Sequence, residues 1–198
     1  MVERADVTRN RAAVLHAADA LFRTEDAEHV TLARVAEAAG VGKATVLRHF
    51  GTLTGVVEAV IAPRVAALRD AASSGPPPLG PGGPPEDALR CFIDALFDFV
   101  LDNRALIRAL EHRSPDAYYA NPASQWWIGE LRRRIHAARP AADSDYLAHA
   151  VFTAMRADIL DYLRSARQMT PERLRKGLHS LVASECESFH GPGAPNGR

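Results

Sequence analysis

Residues 31–50 read TLARVAEAAGVGKATVLRHF, and this stretch decides the kind of fold the chain adopts. Thr31 can cap a helix, because its hydroxyl can accept a hydrogen bond from a first-turn amide. Leu32, Val35, Ala36 and Ala39 then fall at i, i+3, i+4 and i+7, the apolar stripe of a short helix. Gly40 stands where a helix C-terminus needs positive φ, and Val41 follows as the usual apolar partner of such a cap. A second helix must begin one or two residues later, since residues 43–50 hold no breaker and are again amphipathic. Gly42 is a tolerable N-cap, and Gly51 closes the segment. Two short helices joined by a Gly-containing turn of about four residues make a helix-turn-helix.

Such a pair has a mechanical use: the first helix props the second so that its exposed face and N-terminus enter a DNA major groove. Val46 and Phe50, one turn apart, are expected on the inner side. Gly42, Lys43, Ala44, Thr45, Leu47, Arg48 and His49 are then the candidates to face DNA. Lys43, Thr45 and Arg48 can donate to phosphates or base edges, and Ala44 permits close approach. Arg34, one turn into the first helix of the pair, is a further candidate.

Upstream, Val14, Ala17, Ala18, Leu21 and Phe22 form one stripe of a helix over about residues 10–23, followed by the polar break TEDAEH. Taken together, residues 14–53 (VLHAADALFRTEDAEHVTLARVAEAAGVGKATVLRHFGTL) resemble the N-terminal domain of the tetracycline-repressor (TetR) family. The matching marks are Ala17–Ala18 with Leu21–Phe22, Thr31, Val35–Ala36, Ala39–Gly40–Val41, Thr45 and His49–Phe50. The resemblance covers roughly the first 60 residues and implies an all-α homodimer that binds double-stranded operator DNA. It also implies that Thr31 touches a phosphate, and that a variable C-terminal domain dimerises and encloses an unidentified small-molecule effector that releases the DNA. The sequence departs from the family pattern at Leu47, where Tyr is common, at Leu53, where Lys is frequent, and at Gly42, which replaces Ser. Each departure removes an expected backbone contact, which bears on affinity and salt dependence more than on sequence reading. Arg4, Arg9 and Arg11 could supply some of the charge from an N-terminal arm.

Beyond residue 52 a connecting helix is expected over residues 53–72, kinked at Pro63. Residues 73–85 (SSGPPPLGPGGPP) can support neither helix nor strand and read as a mobile linker or long loop. Helical segments follow near residues 86–103, 104–112, 122–138, 144–167 and 171–189, and the tail 191–198 is expected to be disordered. The chain thus divides into a helix-turn-helix domain (1–52), the connecting helix, the linker and a helical ligand-binding and dimerisation domain (86–190). In that last part Phe92, Leu96 and Phe99 share a stripe, Trp126 and Trp127 are adjacent, and Met155, Arg156 and Tyr162 lie on one segment; these eight are the candidates to line an effector site. Arg156 could pair with Asp158 or meet an acidic ligand. Tyr146, Ala150, Ala154, Ile159 and Leu163, with Leu174, Leu178, Leu181 and Val182, offer the faces for a bundle-type dimer interface.

Composition bounds these readings. With 198 residues, 47% hydrophobic and 24% charged, the chain is of ordinary globular make-up. Its formal net charge is zero, so DNA contact must rest on local charge rather than on a general basic excess. No apolar run is long enough to span a bilayer, the opening residues lack a signal's apolar core, and Cys91 and Cys186 make no disulfide framework. A cytoplasmic protein with no membrane partner, no metal and no cofactor is expected. No zinc-binding, phosphate-loop or nucleophile-elbow motif occurs, and Asp158, Asp161 and His149 on a helix face water in the ordinary reading, so an enzyme is not expected. The competing reading is a helical dimeric interaction protein that has lost DNA binding.

Overall fold

The computed structural model describes residues 2–111 and 115–183, and no strand occurs among them. The helices are α1 (Val2–Thr24), α2 (Leu32–Ala38), α3 (Lys43–Phe50), α4 (Leu53–Ser74), α5 (Pro85–Asp102), α6 (Arg104–Glu111), α7 (Pro115–Ala120), α8 (Pro122–Ala138), α9 (Ser144–Ala154), α10 (Ala157–Ser165) and α11 (Pro171–Val182). The all-α class and the N-terminal helix-turn-helix are those expected. The remainder of the expected last helix, Cys186 and the 191–198 tail lie outside the described residues.

Where local chemistry sets a boundary, the expected and observed boundaries agree. The Thr31 hydroxyl accepts from the Arg34 amide at 3.2 Å. At the other end of α2, the Val41 amide donates to the Ala36 carbonyl (3.0 Å) and the Gly40 amide to that of Glu37 (3.1 Å), with Gly40 at φ 65°. These two bonds are a Schellman motif, and they turn the chain so that α3 can start after Gly42. Asn121, Asp143 and Thr170 likewise cap α8, α9 and α11 through their side chains. Because a capping Thr is worth about 1 kcal/mol, Thr31→Ala is expected to lower unfolding free energy by that amount, read from urea midpoints at unchanged m-value.

Four differences from the expected elements occur. First, α1 begins at Val2 rather than near residue 10, because nothing in residues 2–9 breaks a helix. There is accordingly no extended arm: Arg4 is within the helix, Arg9 pairs with Asp6 at 3.2 Å, and the Arg11 guanidinium lies 4.8 Å from the Phe50 ring centroid. Second, α4, which continues through the exposed Pro63 as expected, ends at Ser74 rather than at residue 72. Third, α7 forms where the sequence reading placed no element.

Fourth, the single helix expected over 144–167 is two. Arg156 takes an extended conformation (ψ 138°), and α10 restarts at Ala157. The restart is stabilised from a distance: the carboxylate of Glu111, only 8% exposed at the end of α6, accepts from the amides of Ala157 (3.0 Å) and Asp158 (3.3 Å). Asp158 adds a bond from the Ile159 amide (2.8 Å) and a two-pronged contact with Arg156 at 3.0 and 2.9 Å. Orphan amides at a helix start need such acceptors, and negative charge suits that end of the helix dipole.

Over the segment expected to be a mobile linker or long loop, the chain takes a packed loop between α4 and α5. It folds back on itself, with the Gly80 amide donating to the Pro76 carbonyl at 2.9 Å and Leu79 packed against the C-terminal core. A Cβ on Gly80 would fall 1.8 Å from the Gly75 carbonyl oxygen, so only glycine allows this approach. Arg134 of α8, 3% exposed, fastens it by donating to the carbonyls of Leu79 (2.5 Å), Ala72 (3.1 Å) and Ala88 (2.8 Å). The same guanidinium pairs with Glu130 at 2.7 Å and lies 4.7 Å from the Phe92 ring centroid.

Two apolar clusters result. One joins α1–α4 through Val14, Ala18, Phe22, Val35, Val46 and Val57, and takes Leu106 from α6. The other joins α5, α8, α9, α10 and α11 through Phe92, Leu96, Leu131, Val151, Leu160 and Leu178. Val65, Phe99 and Ile107 pack against both, so the clusters touch along α4, α5 and α6.

Candidate nucleic-acid interface

The packing of α3 decides which of its side chains are free. Val46 is fully buried, and Phe50 packs half-buried against the N-terminal cluster beneath Arg11. With those two inside, Lys43, Ala44, Leu47 and Arg48 are exposed, at i, i+1, i+4 and i+5 along one face. Lys43 and Arg48 meet no ion-pair partner among the described residues. Leu47 is 42% exposed in the middle of this face, the one large apolar side chain between two cations. Gly42 is exposed at the start of α3 and provides no side-chain cap there, leaving the first turn open.

The other candidates are placed differently. Thr45 and His49 are half-buried beside the exposed face. The His49 ring stands edge-on to Phe50, 6.3 Å between centroids, and its Nε2 is buried without a hydrogen-bond partner. Thr31 is exposed at the head of α2, its hydroxyl engaged by the cap. Arg34 is exposed but held by two carboxylates, Glu25 at 3.1 Å and Glu37 at 3.2 Å, whose hydrogen bonds raise its already high pKa further. Glu37, one turn on from Arg34, was readable from sequence; Glu25 reaches it only because the loop after α1 folds back.

The eight effector candidates do not form one site. Phe92, Phe99, Trp126 and Trp127 make an aromatic cluster, with ring centroids 4.7–6.3 Å apart. Leu96 and Met155 are buried in the same core. Arg156 is taken up by Asp158 and lies 4.8 Å from the Tyr118 ring centroid, while Tyr162 is 58% exposed. Two surface clefts among the described residues are lined by none of the eight. One, of about 430 Å³, lies between the loop after α1, α6 and α10 and is lined by Arg23, Glu25, Asp26, Arg104, Arg108 and Asp161 among others. The second, of about 160 Å³, lies between α5 and α11.

Of the residues expected at a dimer interface, Leu174, Leu178 and Val182 are buried in the chain's own core, whereas Tyr146 (70%) and Leu181 (44%) are exposed. Among the described residues no single helix is long and apolar enough to cross a membrane.

An all-α chain whose N-terminal bundle holds a short helix by its inner side and presents the outer side to solvent is a helix-turn-helix protein. The family model of the bacterial regulatory proteins, tetR family, matches residues 14–60, which run from α1 into α4. No curated protein matches the chain by sequence. Among solved structures it is similar to a protein from Rhodococcus sp. assigned to the TetR family of transcriptional regulators (TM-score 0.65, 19% identity, covering 87% of this chain and 96% of that one). It is also similar to a protein from Saccharomonospora viridis assigned as a transcriptional regulator and solved with choline (0.64, 17%, 87% and 94%). A third is NalD of Pseudomonas aeruginosa, the secondary repressor of the MexAB-OprM multidrug efflux pump (0.58, 20%, 90% and 95%). At these identities the likeness is one of fold, and the fold is that of TetR-family transcriptional regulators.

Proposed function

We propose that the chain is a cytoplasmic, homodimeric transcriptional repressor that binds a palindromic operator and is released from it by a small-molecule effector. The observation that carries this reading is the α3 face: Lys43, Ala44, Leu47 and Arg48 stand exposed together while Val46 and Phe50 anchor the helix from behind. Lys43 and Arg48 contact phosphates or base edges, Ala44 lets the helix approach closely, and the open first turn at Gly42 favours a phosphate oxygen. Thr45 and His49 contact the DNA from the flank, and Thr31 and Arg34 from the head of α2. Dimerisation uses the exposed apolar side chains Tyr146, Tyr162 and Leu181 on α9, α10 and α11. The effector enters the C-terminal body at the aromatic cluster of Phe92, Phe99, Trp126 and Trp127. The choline bound by the S. viridis protein favours a compact organic ligand. By linkage, an effector that prefers another separation of the two α3 helices weakens operator binding.

The test is selection of bound sequences from a random duplex library, followed by a salt series on the enriched site. An enriched inverted repeat is expected, with half-sites about 34–36 Å apart or somewhat more. Lys43→Ala and Arg48→Ala are each expected to weaken binding about tenfold and to lower the salt slope by about one, with melting temperature unchanged. Parent-like binding by both variants would place the interface elsewhere.

A further inference from the structure

A polar network crosses from the DNA-binding unit to the body through Arg64. Arg64 of α4 donates through Nη2 to Asp19 of α1 and through Nη1 to the Asn103 side-chain oxygen, each at 2.6 Å. Asp19 is also held by Arg23 at 3.1 Å. Burial alone would raise the Asp19 carboxyl, but the hydrogen bonds and charge of Arg64 and Arg23 outweigh it and hold its pKa below the ordinary value.

Asn103 is the joint between α5 and α6, and it is 5% exposed. Its side-chain amide donates to the Phe99 carbonyl at 2.8 Å, and its own carbonyl accepts the Ile107 amide of α6 at 3.0 Å. Phe99 in turn packs against Trp127, 5.9 Å between ring centroids. The contacts therefore run without a gap from the aromatic cluster, through Phe99 and Asn103, to Arg64 and on to α1.

We propose that Arg64 is a positioning residue for operator recognition: by holding Asp19 and Asn103 at once it fixes the angle between α1 and the body, and so the placement of α3. The proposal rests on the DNA-binding reading above. A guanidinium with two fixed prongs tolerates little displacement of one partner relative to the other. A shift of Phe99 on effector binding moves the Asn103 joint, and Arg64 must then follow it or release it. Either response changes the hold on Asp19. The structure shows the path in one arrangement, and coupling requires that an effector favour a second.

The test measures the angle directly and needs no DNA. Nitroxide labels are placed at Ala33→Cys on α2 and His136→Cys on α8, both exposed positions. The background carries Cys91→Ala and Cys186→Ser, and the labelled chain is diluted into excess unlabelled chain so that distances within one chain dominate. Pulsed dipolar spectroscopy is expected to give one narrow distance for the parent and a broadened, displaced distribution for Arg64→Met. Arg64→Lys, whose ammonium lacks the fork, is expected to lie between them. Should Arg64→Met not fold, Asp19→Asn, which keeps an acceptor but loses the charge, carries the same expectation. An unchanged narrow distance in the folded variant overturns the proposal. On the enriched operator, the parent is expected to accept one half-site spacing and Arg64→Met several. If the parent enriches no duplex, the DNA-binding reading falls, while the distance measurement still decides whether Arg64 fixes the angle.

Discussion

Replacing Arg134 with alanine is expected to lower the unfolding free energy by about 3–5 kcal/mol, the usual cost of removing one partner from a buried ion pair. Three effects act together at this position. Glu130 loses the cation that, with Arg133, holds its pKa below the ordinary value against the opposing effect of burial. The buried Ala72 carbonyl and the part-buried Leu79 and Ala88 carbonyls lose their donor. Phe92 loses the cation over its face. For a chain of this size the loss corresponds to a fall in melting temperature of about 6–20 °C. Arg134→Lys should recover only part of it, because an ammonium cannot reach three carbonyls and a carboxylate from one fixed plane. Thermal and urea unfolding of both variants check this. A loss in Arg134→Ala within about 0.5 kcal/mol, the range of ordinary surface substitutions, would show that the loop keeps its place without the arginine.

Glu111→Ala is expected to cost about 2–4 kcal/mol, because it strands the buried Ala157 amide, at about 1–3 kcal/mol, and removes the bond to the part-buried Asp158 amide, at about 1 kcal/mol. Its companion Glu111→Gln separates capping from charge. Burial pushes the Glu111 carboxyl above its ordinary value, with the Ala157 amide bond opposing that shift. A carboxyl whose folded pKa is raised favours folding below the unfolded value, about 4.3, and that contribution is lost as pH rises through the folded value. Gln carries no such titration. The stability difference between Glu111→Gln and the parent should therefore move in favour of Gln as pH rises from about 4, and level off above the folded pKa. A difference independent of pH would mean that the carboxyl titrates as it does in the unfolded chain.

What the sequence made legible was whatever is specified within a few residues. The turn between α2 and α3 depends on Thr31, Gly40, Val41 and Gly42, neighbours that act on one another's backbone, and the structure shows the same caps. The exposed side of α3 followed from Val46 and Phe50 lying one turn apart. What was not legible depends on residues far away in the chain. The break at Arg156 is held by Glu111, and the Pro/Gly segment by Arg134, so neither could be read from local composition. Arg34 looked free because the carboxylate of Glu25 arrives through the fold of a loop. A stripe such as Phe92, Leu96 and Phe99 reads the same whether it lines a cavity or fills a core, and only the packing of Trp126 and Trp127 against it shows the aromatic cluster they share. The N-terminal arm failed for a simpler reason: residues 2–9 contain no helix breaker, and the helix continues through them.

The contact between the two apolar clusters bears on where this protein can be cut. The Pro/Gly stretch invites a scalpel, yet a fragment ending at Ser74 would retain α1–α4 and discard the helix that carries Leu106, leaving a socket in the first cluster open to water. Val65 on the retained side would lose its neighbours across the seam. Such an excised fragment should be sticky and prone to proteolysis, and a chimera that grafts it onto another body would need a matching side chain to fill the socket. Extending the fragment through Glu111 would restore Leu106 but strip Phe92 and Leu96 of α5 of their partners on α8–α11, so neither cut leaves both cores closed.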